Sequence, residues 1–197
     1  RLPPGQAEKH FASGAWERVS VATAARERAK KMPNRVAVEA ENGSLTYADA
    51  VEQGEALARA LLDLGLQPGD TLALQLPNWL EAVVINLACA FSGLVVNPII
   101  PIYRQAELRV ILKDSRARLI FIPHVFRNVN YSEILAELRP DLPELSHVIS
   151  VRGEADGLLS LIEHGRNLET QLPDVAPESA KMLIYTSGTT GLPKGVI

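Results

Sequence analysis

The residues with the most chemistry in this 197-residue sequence lie in one run, Tyr185-Thr186-Ser187-Gly188-Thr189-Thr190-Gly191-Leu192-Pro193-Lys194-Gly195. The glycines at 188, 191 and 195 permit positive φ and let the backbone approach a charged ligand without a Cβ in the way. Successive backbone N–H groups in such a turn form a concave anion site. The hydroxyls of Thr186, Ser187, Thr189 and Thr190 add donors for phosphate oxygens, and Lys194 adds a compact, mobile positive charge. Pro193 restricts the backbone beside it. A surface turn rich in glycine and serine would share the composition. Four hydroxyls, three glycines and a lysine placed after an apolar run favour a phosphate grip instead.

The run is not a Walker A loop. That pattern requires G-x-x-x-x-G-K-[ST], and counting from Gly188 the second glycine position holds Pro193. Gly195 stands where a magnesium-binding hydroxyl belongs. The spacing also fails G-x-G-x-x-G, so neither a P-loop NTPase nor a dinucleotide site fits. No G-x-S-x-G elbow supplies a hydrolase nucleophile. The single cysteine, Cys89, sits in an apolar segment and reads as a small buried hydrophobe; one cysteine forms no intrachain disulfide and fits no metal spacing. His124 follows a strand-like run, where it is either a pocket residue or a solvated loop residue. His10, His147 and His164 stand in unrelated contexts. Asp63, Asp70, Glu107 and Asp114 stand singly and read as surface or capping groups, and Trp79 reads as packing.

The elements that must position the run follow from periodicity. Ser20–Lys31 has helical character and ends before Met32-Pro33. Arg35–Ala40, Asn42-Gly43 and Leu45-Thr46-Tyr47 predict a β-hairpin turning at Asn-Gly. Asp49 is the expected N-cap of an amphipathic helix reaching about Leu64, closed by Gly65 and Pro68. Strands are expected at Thr71–Leu76, Val95–Ile100, Arg118–Pro123 and His147–Val151. Asn78 with Glu81 resembles a capping box opening a helix that is apolar nearly all round. Further helices are expected at Gln105–Ser115 and Tyr131–Leu138, a connecting loop at Gly165–Ala180, and a final strand at Lys181–Tyr185 running into the motif. Continuously apolar strands separated by helices indicate a doubly wound, mostly parallel α/β sheet with helices on both faces, plus the N-terminal hairpin. Such sheets bind ligands at the carboxyl edge, where the motif falls.

Composition is consistent with this. Hydrophobic residues make up 47%, enough for a substantial core, and a net charge of −3 from 20 basic and 23 acidic residues leaves no footprint for nucleic acid or an anionic membrane. The basic cluster Arg26–Lys31 reads as one solvated helix face. Trp79–Ile100 is long enough to span a bilayer, but Glu81, Asn86, Gly93, Asn97 and Pro98 break it into a buried helix and a buried strand. A start at Arg1 without a signal-peptide pattern reads as a processed or truncated start, and a lone buried thiol suits a reducing, cytoplasmic setting.

The run YTSGTTGLPKG resembles the phosphate-binding loop of the adenylate-forming superfamily: AMP-forming acyl-CoA synthetases, nonribosomal adenylation domains and luciferases. Leu45-Thr46-Tyr47 with the following helix and Gly69-Asp70 is similar to that family's opening. Leu76-Pro77-Asn78 and Gly93–Tyr103, with Glu107-Leu108 after it, resemble the acyl- and aryl-acid–CoA ligase branch. Pro123–Tyr131 and Asn97–Tyr103 are faintly similar to ligases for aromatic or alicyclic acids.

The resemblance implies that a carboxylate attacks the α-phosphate of Mg·ATP to give an acyl-adenylate and pyrophosphate, after which a thiol, usually of coenzyme A, displaces AMP. Thr186, Ser187, Gly188, Thr189, Thr190, Gly191 and Lys194 would hold the triphosphate tail and departing pyrophosphate, the lysine as an electrostatic clamp. Residues 1–197 would be the N-terminal portion of the AMP-binding (adenylation) domain. The family's Tyr-Gly-x-Thr-Glu segment, ribose-binding aspartate, hinge and C-terminal lysine match nothing in the chain. Hence no residue here is assigned as catalytic or as a metal ligand, the isolated chain is expected to be inactive, and loop 186–195 is expected to be mobile when empty. The alternatives are an adenylation domain that loads a carrier protein, or a non-catalytic nucleotide-binding module.

Overall fold

Burial on both faces, which the continuously apolar strands demand, is what the computed structural model shows. It describes residues 5–41, 43–153, 155–187 and 193–196. The chain opens with α1 (Gln6–Ala12) and α2 (Val21–Lys31), then β1 (Val36–Ala40), β2 (Gly43–Thr46) and the long α3 (Tyr47–Asp63). There follow β3 (Thr71–Leu74), α4 (Leu80–Ser92), β4 (Val95–Pro98), α5 (Gln105–Asp114) and β5 (Leu119–Pro123). A short hairpin of β6 (Val125–Phe126) and β7 (Val129–Asn130) leads to α6 (Tyr131–Leu138) and a 3-10 turn at Arg139–Asp141. Next come β8 (His147–Val151), α7 (Gly157–Arg166) and a closing hairpin of β9 (Ile184–Ser187) and β10 (Pro193–Val196).

The central sheet is parallel, in the order β4-β3-β5-β8. The chain leaves β3 for one side and returns past it to β5, so a topological switch point lies between β3 and β5. Leu72, Leu119, Phe121 and Val151 point into a core shared with α2, α3, α4 and α7. The alternate residues Ala73, Ile120 and Ile122 point into a second core with α5 and α6. The doubly wound sheet and the separate β1–β2 hairpin are as expected.

Several local expectations need correction. Thr46, not Asp49, is the N-cap of α3: its hydroxyl accepts from Asp49 N while the Asp49 carboxylate accepts from Thr46 N, closing a capping box. Side-chain hydrogen bonding from Thr46 holds the Asp49 carboxyl below the usual carboxylate range. In the first hairpin Ala40 pairs with Gly43, so Gly43 already belongs to β2 rather than to the turn; Asn42 lies outside the described residues. Trp79 precedes α4 without a side-chain cap, and Glu81 bonds Arg152 instead of capping. Strands β3 and β4 stop at Leu74 and Pro98, two residues short of the expected ends. Buried Gln75 donates from Nε2 to the carbonyls of Ile100 and Tyr103, tying the segment after β3 to the segment after β4. The expected final strand is divided. Met182 makes one parallel bridge to Val96, and β9 begins only at Ile184, in its own hairpin.

Helix α7 was not expected, and the expected loop begins inside it. Its N-cap Asp156 accepts from Leu158 N and Leu159 N, and Leu158 and Ile162 enter the first core. The stretch 79–100 divides as expected into a helix and a strand, with Gly93 in the left-handed region (φ 74°) ending α4. No helix among the described residues is long and apolar enough to cross a membrane.

Candidate functional site

The β9–β10 hairpin sets the mouth of the glycine-rich loop. Its register pairs Ser187 with Pro193, Thr186 with Lys194, Tyr185 with Gly195, and Ile184 with Val196. The antiparallel ladder therefore brings Thr186 and Lys194 directly opposite each other, and both side chains are exposed. Gly188, Thr189, Thr190, Gly191 and Leu192 lie outside the described residues, so the expected mobility of the loop falls on residues without a description. Gly195 does not need positive φ. A Cβ there would come within 3.2 Å of Tyr185 Cζ and 3.1 Å of Leu183 Cδ1, a tight contact with both side chains. Tyr185 is 8% exposed, and its hydroxyl donates to Asp114 Oδ2 at 2.5 Å. Burial and this bond push the phenol's pKa up.

A second feature lies at the carboxyl edge of the sheet. Pro77, Asn78, Pro101, Arg104, Phe126 and Tyr131 line a crevice of about 360 Å³, with Arg127 at its rim. Arg104 Nη1 donates to the carbonyls of Pro101 (2.7 Å) and Tyr103 (2.8 Å), and its guanidinium lies 5.6 Å from the Tyr131 ring centre. Arg127 turns the β6–β7 hairpin at φ 50° and lies 5.3 Å from the Phe126 ring centre. Neither arginine pairs with a carboxylate among the described residues, unlike Arg152, which binds Glu81 at 2.6 Å and stacks on Trp79 at 3.9 Å. The crevice thus presents two cations not neutralised by a described carboxylate, beside aromatic walls. An anion carrying a planar group suits that lining. Sequence reading passed over both arginines because the crevice forms only where Pro77 and Asn78, the segment 101–104 and the segment 126–131 come together from separate parts of the chain.

The remaining single residues take plain roles. Asp70 accepts from Gln67 N, Glu107 accepts from Arg104 N, and Asp63 meets His164 at 2.8 Å on the surface. Asp114 is the exception among the groups read as surface or capping residues, since it receives Tyr185. His124 is exposed, with its N–H on the Val151 carbonyl. Cys89 is fully buried, and burial pushes its thiol up to about 12. Among the described residues no group of His, Cys, Asp and Glu is placed to hold a metal ion.

The sequence profile of the AMP-binding enzyme family matches residues 25–197. The medium-chain fatty-acid–CoA ligase of Escherichia coli (strain K12) is 35% identical over 190 residues, covering 93% of this chain and 33% of that protein. The salicyl-AMP ligase / salicyl-S-ArCP synthetase of Mycobacterium tuberculosis (strain ATCC 25618 / H37Rv) is 31% identical over 200 residues, covering 98% of this chain and 35% of that protein. The apo structure of MbtA from Mycobacterium smegmatis superposes with a TM-score of 0.84 at 28% identity, over 99% of this chain and 36% of that one. The chain spans about a third of the length of the curated relatives it matches. The family profile, the doubly wound sheet and the phosphate-type motif agree, and the chain belongs to the AMP-binding enzyme family.

Proposed function

We propose that residues 1–197 are the N-terminal portion of the adenylation domain of an ATP-dependent, AMP-forming acid–thiol ligase. The whole protein would convert a carboxylic acid to an acyl-adenylate and transfer it to coenzyme A. The observation that carries this reading is the register placing Lys194 opposite Thr186 at the mouth of a loop rich in glycine and hydroxyls. Attack of a carboxylate on ATP requires two anions to meet. Donors fixed around the β- and γ-phosphates lower that barrier by positioning the tail and by stabilising the charge of departing pyrophosphate. In this reading Thr186, Ser187, Gly188, Thr189, Thr190, Gly191 and Lys194 hold the polyphosphate, and Lys194 acts as a clamp rather than a base. The arginine-lined crevice offers a place for a phosphate-bearing thiol substrate such as coenzyme A. A cytoplasmic setting suits the buried free thiol of Cys89.

The test is acid-dependent ATP–pyrophosphate exchange by the full-length protein. Lys194→Ala is expected to lower exchange by 10²-fold or more, on the order of losing one preorganised charge donor; exchange within about three-fold of the parent protein would refute the assignment. The same assay on the 197 residues alone is expected to show no exchange. A second reading, loading of a carrier protein, is supported by the likeness to a salicyl-S-ArCP synthetase. AMP release that depends on coenzyme A favours the first reading, and release that depends on a phosphopantetheinylated carrier favours the second.

A further inference from the structure

The strand leading into the loop is held by a contact that the proposed chemistry leaves unused. Ile184 and Thr186 face outward, while Tyr185 between them turns toward α5 and is buried in the second core. Its hydroxyl meets the carboxylate of Asp114, the last residue of α5, at 2.5 Å. That is the length of an O–H···O⁻ bond, about twice as strong as a neutral one. The acceptor is itself fixed, because Leu108, Ile111 and Leu112 anchor α5 in the same core. On the opposite strand Gly195 rests against the Tyr185 ring, 3.3 Å from a built Cβ to its Oη, so β10 is seated on that ring with Lys194 as the next residue.

An isolated two-stranded hairpin is marginal in water, and this one has exposed outer residues, Ile184, Lys194 and Val196. We propose that Asp114 and Tyr185 form a positioning pair that seats the β9–β10 hairpin against α5 and so aims Thr186 and Lys194 at the polyphosphate. The proposal rests on the reading of 186–194 as the phosphate grip. Neither residue touches the reacting atoms; the pair acts through the strand that carries those that do.

The experiment uses the full-length protein with steady-state kinetics in ATP and in the acid. Tyr185→Phe and Asp114→Leu are each expected to raise KM for ATP by about ten-fold, the size of a lost hydrogen bond to a charged group. KM for the acid is expected to stay within about two-fold. The double variant should be no worse than either single one, since both remove the same bond. Asp114→Asn keeps a carbonyl acceptor and should restore KM for ATP to within about three-fold. Circular dichroism melting of each variant identifies general weakening. Equal losses for both substrates with a lowered melt would overturn the positioning role. If Lys194→Ala raises KM for ATP while Tyr185→Phe does not, the pair alone is refuted. If Lys194→Ala also leaves kcat/KM for ATP within about three-fold of the parent protein, the phosphate-grip reading falls with it.

Discussion

Gly165 sits on α7 where that helix crosses α3, and Gly165→Ala gives a test whose sign separates two explanations of the residue. A Cβ at 165 would lie 1.8 Å from the Ala56 carbonyl oxygen and 2.6 Å from its carbon. Ordinary C···O contact begins near 3.3 Å, so the helices must part by roughly 1.5 Å. The Ala56 carbonyl belongs to the α3 hydrogen-bond ladder and cannot turn aside, so α7 has to move. It would draw Leu158 and Ile162, now almost fully buried, away from the core they share with α3. Overpacking of this kind costs about 1–3 kcal/mol, and more when backbone is the obstacle. The helix-propensity gain of alanine over glycine returns at most about 1 kcal/mol. With the rigid backbone clash at the upper end of that cost, the expected net effect is destabilisation of about 2 kcal/mol. In urea that lowers the unfolding midpoint by about 1 M at a typical slope near 2 kcal/mol/M. Leu159→Ala, on the exposed side of the same helix, serves as control and should change stability by no more than about 0.5 kcal/mol. A midpoint for Gly165→Ala equal to or above that of the parent protein would refute the close helix crossing.

Two other perturbations read the caps and the buried amine. Thr46→Ala removes the α3 capping box and should cost about 0.5–2 kcal/mol by urea unfolding at neutral pH. Because the folded-state pKa of Asp49 is depressed, its contribution is present above the unfolded value and lost as pH falls through the folded one. The difference between the parent protein and Asp49→Asn should therefore shrink on acidification below about pH 4, and a difference that grows would contradict the capping role. Lys181 donates from Nζ to the Asn86 carbonyl (3.1 Å) and to its side-chain oxygen (2.9 Å), and burial lowers the pKa of its amine. A base with a lowered folded pKa makes stability rise as pH climbs from the folded toward the unfolded value near 10.5. Lys181→Met should remove that rise in a series of unfolding curves, and an unchanged slope with pH would show that Lys181 is not the group responsible.

Much of the fold was legible because burial on both faces leaves a plain trace. The runs Leu72–Leu74, Val95–Val96 and Leu119–Ile122 are apolar throughout, and each lies in a parallel strand. Gly93 marked the break between α4 and β4 correctly, because a left-handed residue there ends the helix by itself. Helix α7 was missed: no element was expected over 157–164, and the expected loop began at Gly165. Gly157 faces the Ile149 side chain and Gly165 the α3 backbone, contacts that no local pattern reports.

The sequence by itself therefore determined the alternation of strands and helices, the burial of the sheet on both sides, and the chemical character of the run 185–195. Those properties reside in residues near one another along the chain. Only the tertiary structure decided that Glu81 serves Arg152 rather than a cap, that Asp114 receives Tyr185, and that Lys194 stands opposite Thr186. The first two pairs are each 71 residues apart, and such partners are chosen by how the packed layers bring distant residues together. The third depends on the hairpin register. A one-residue slip would turn each side chain of a strand to its other face, and what seats this register is the Tyr185 ring lodged between Gly195 and α5.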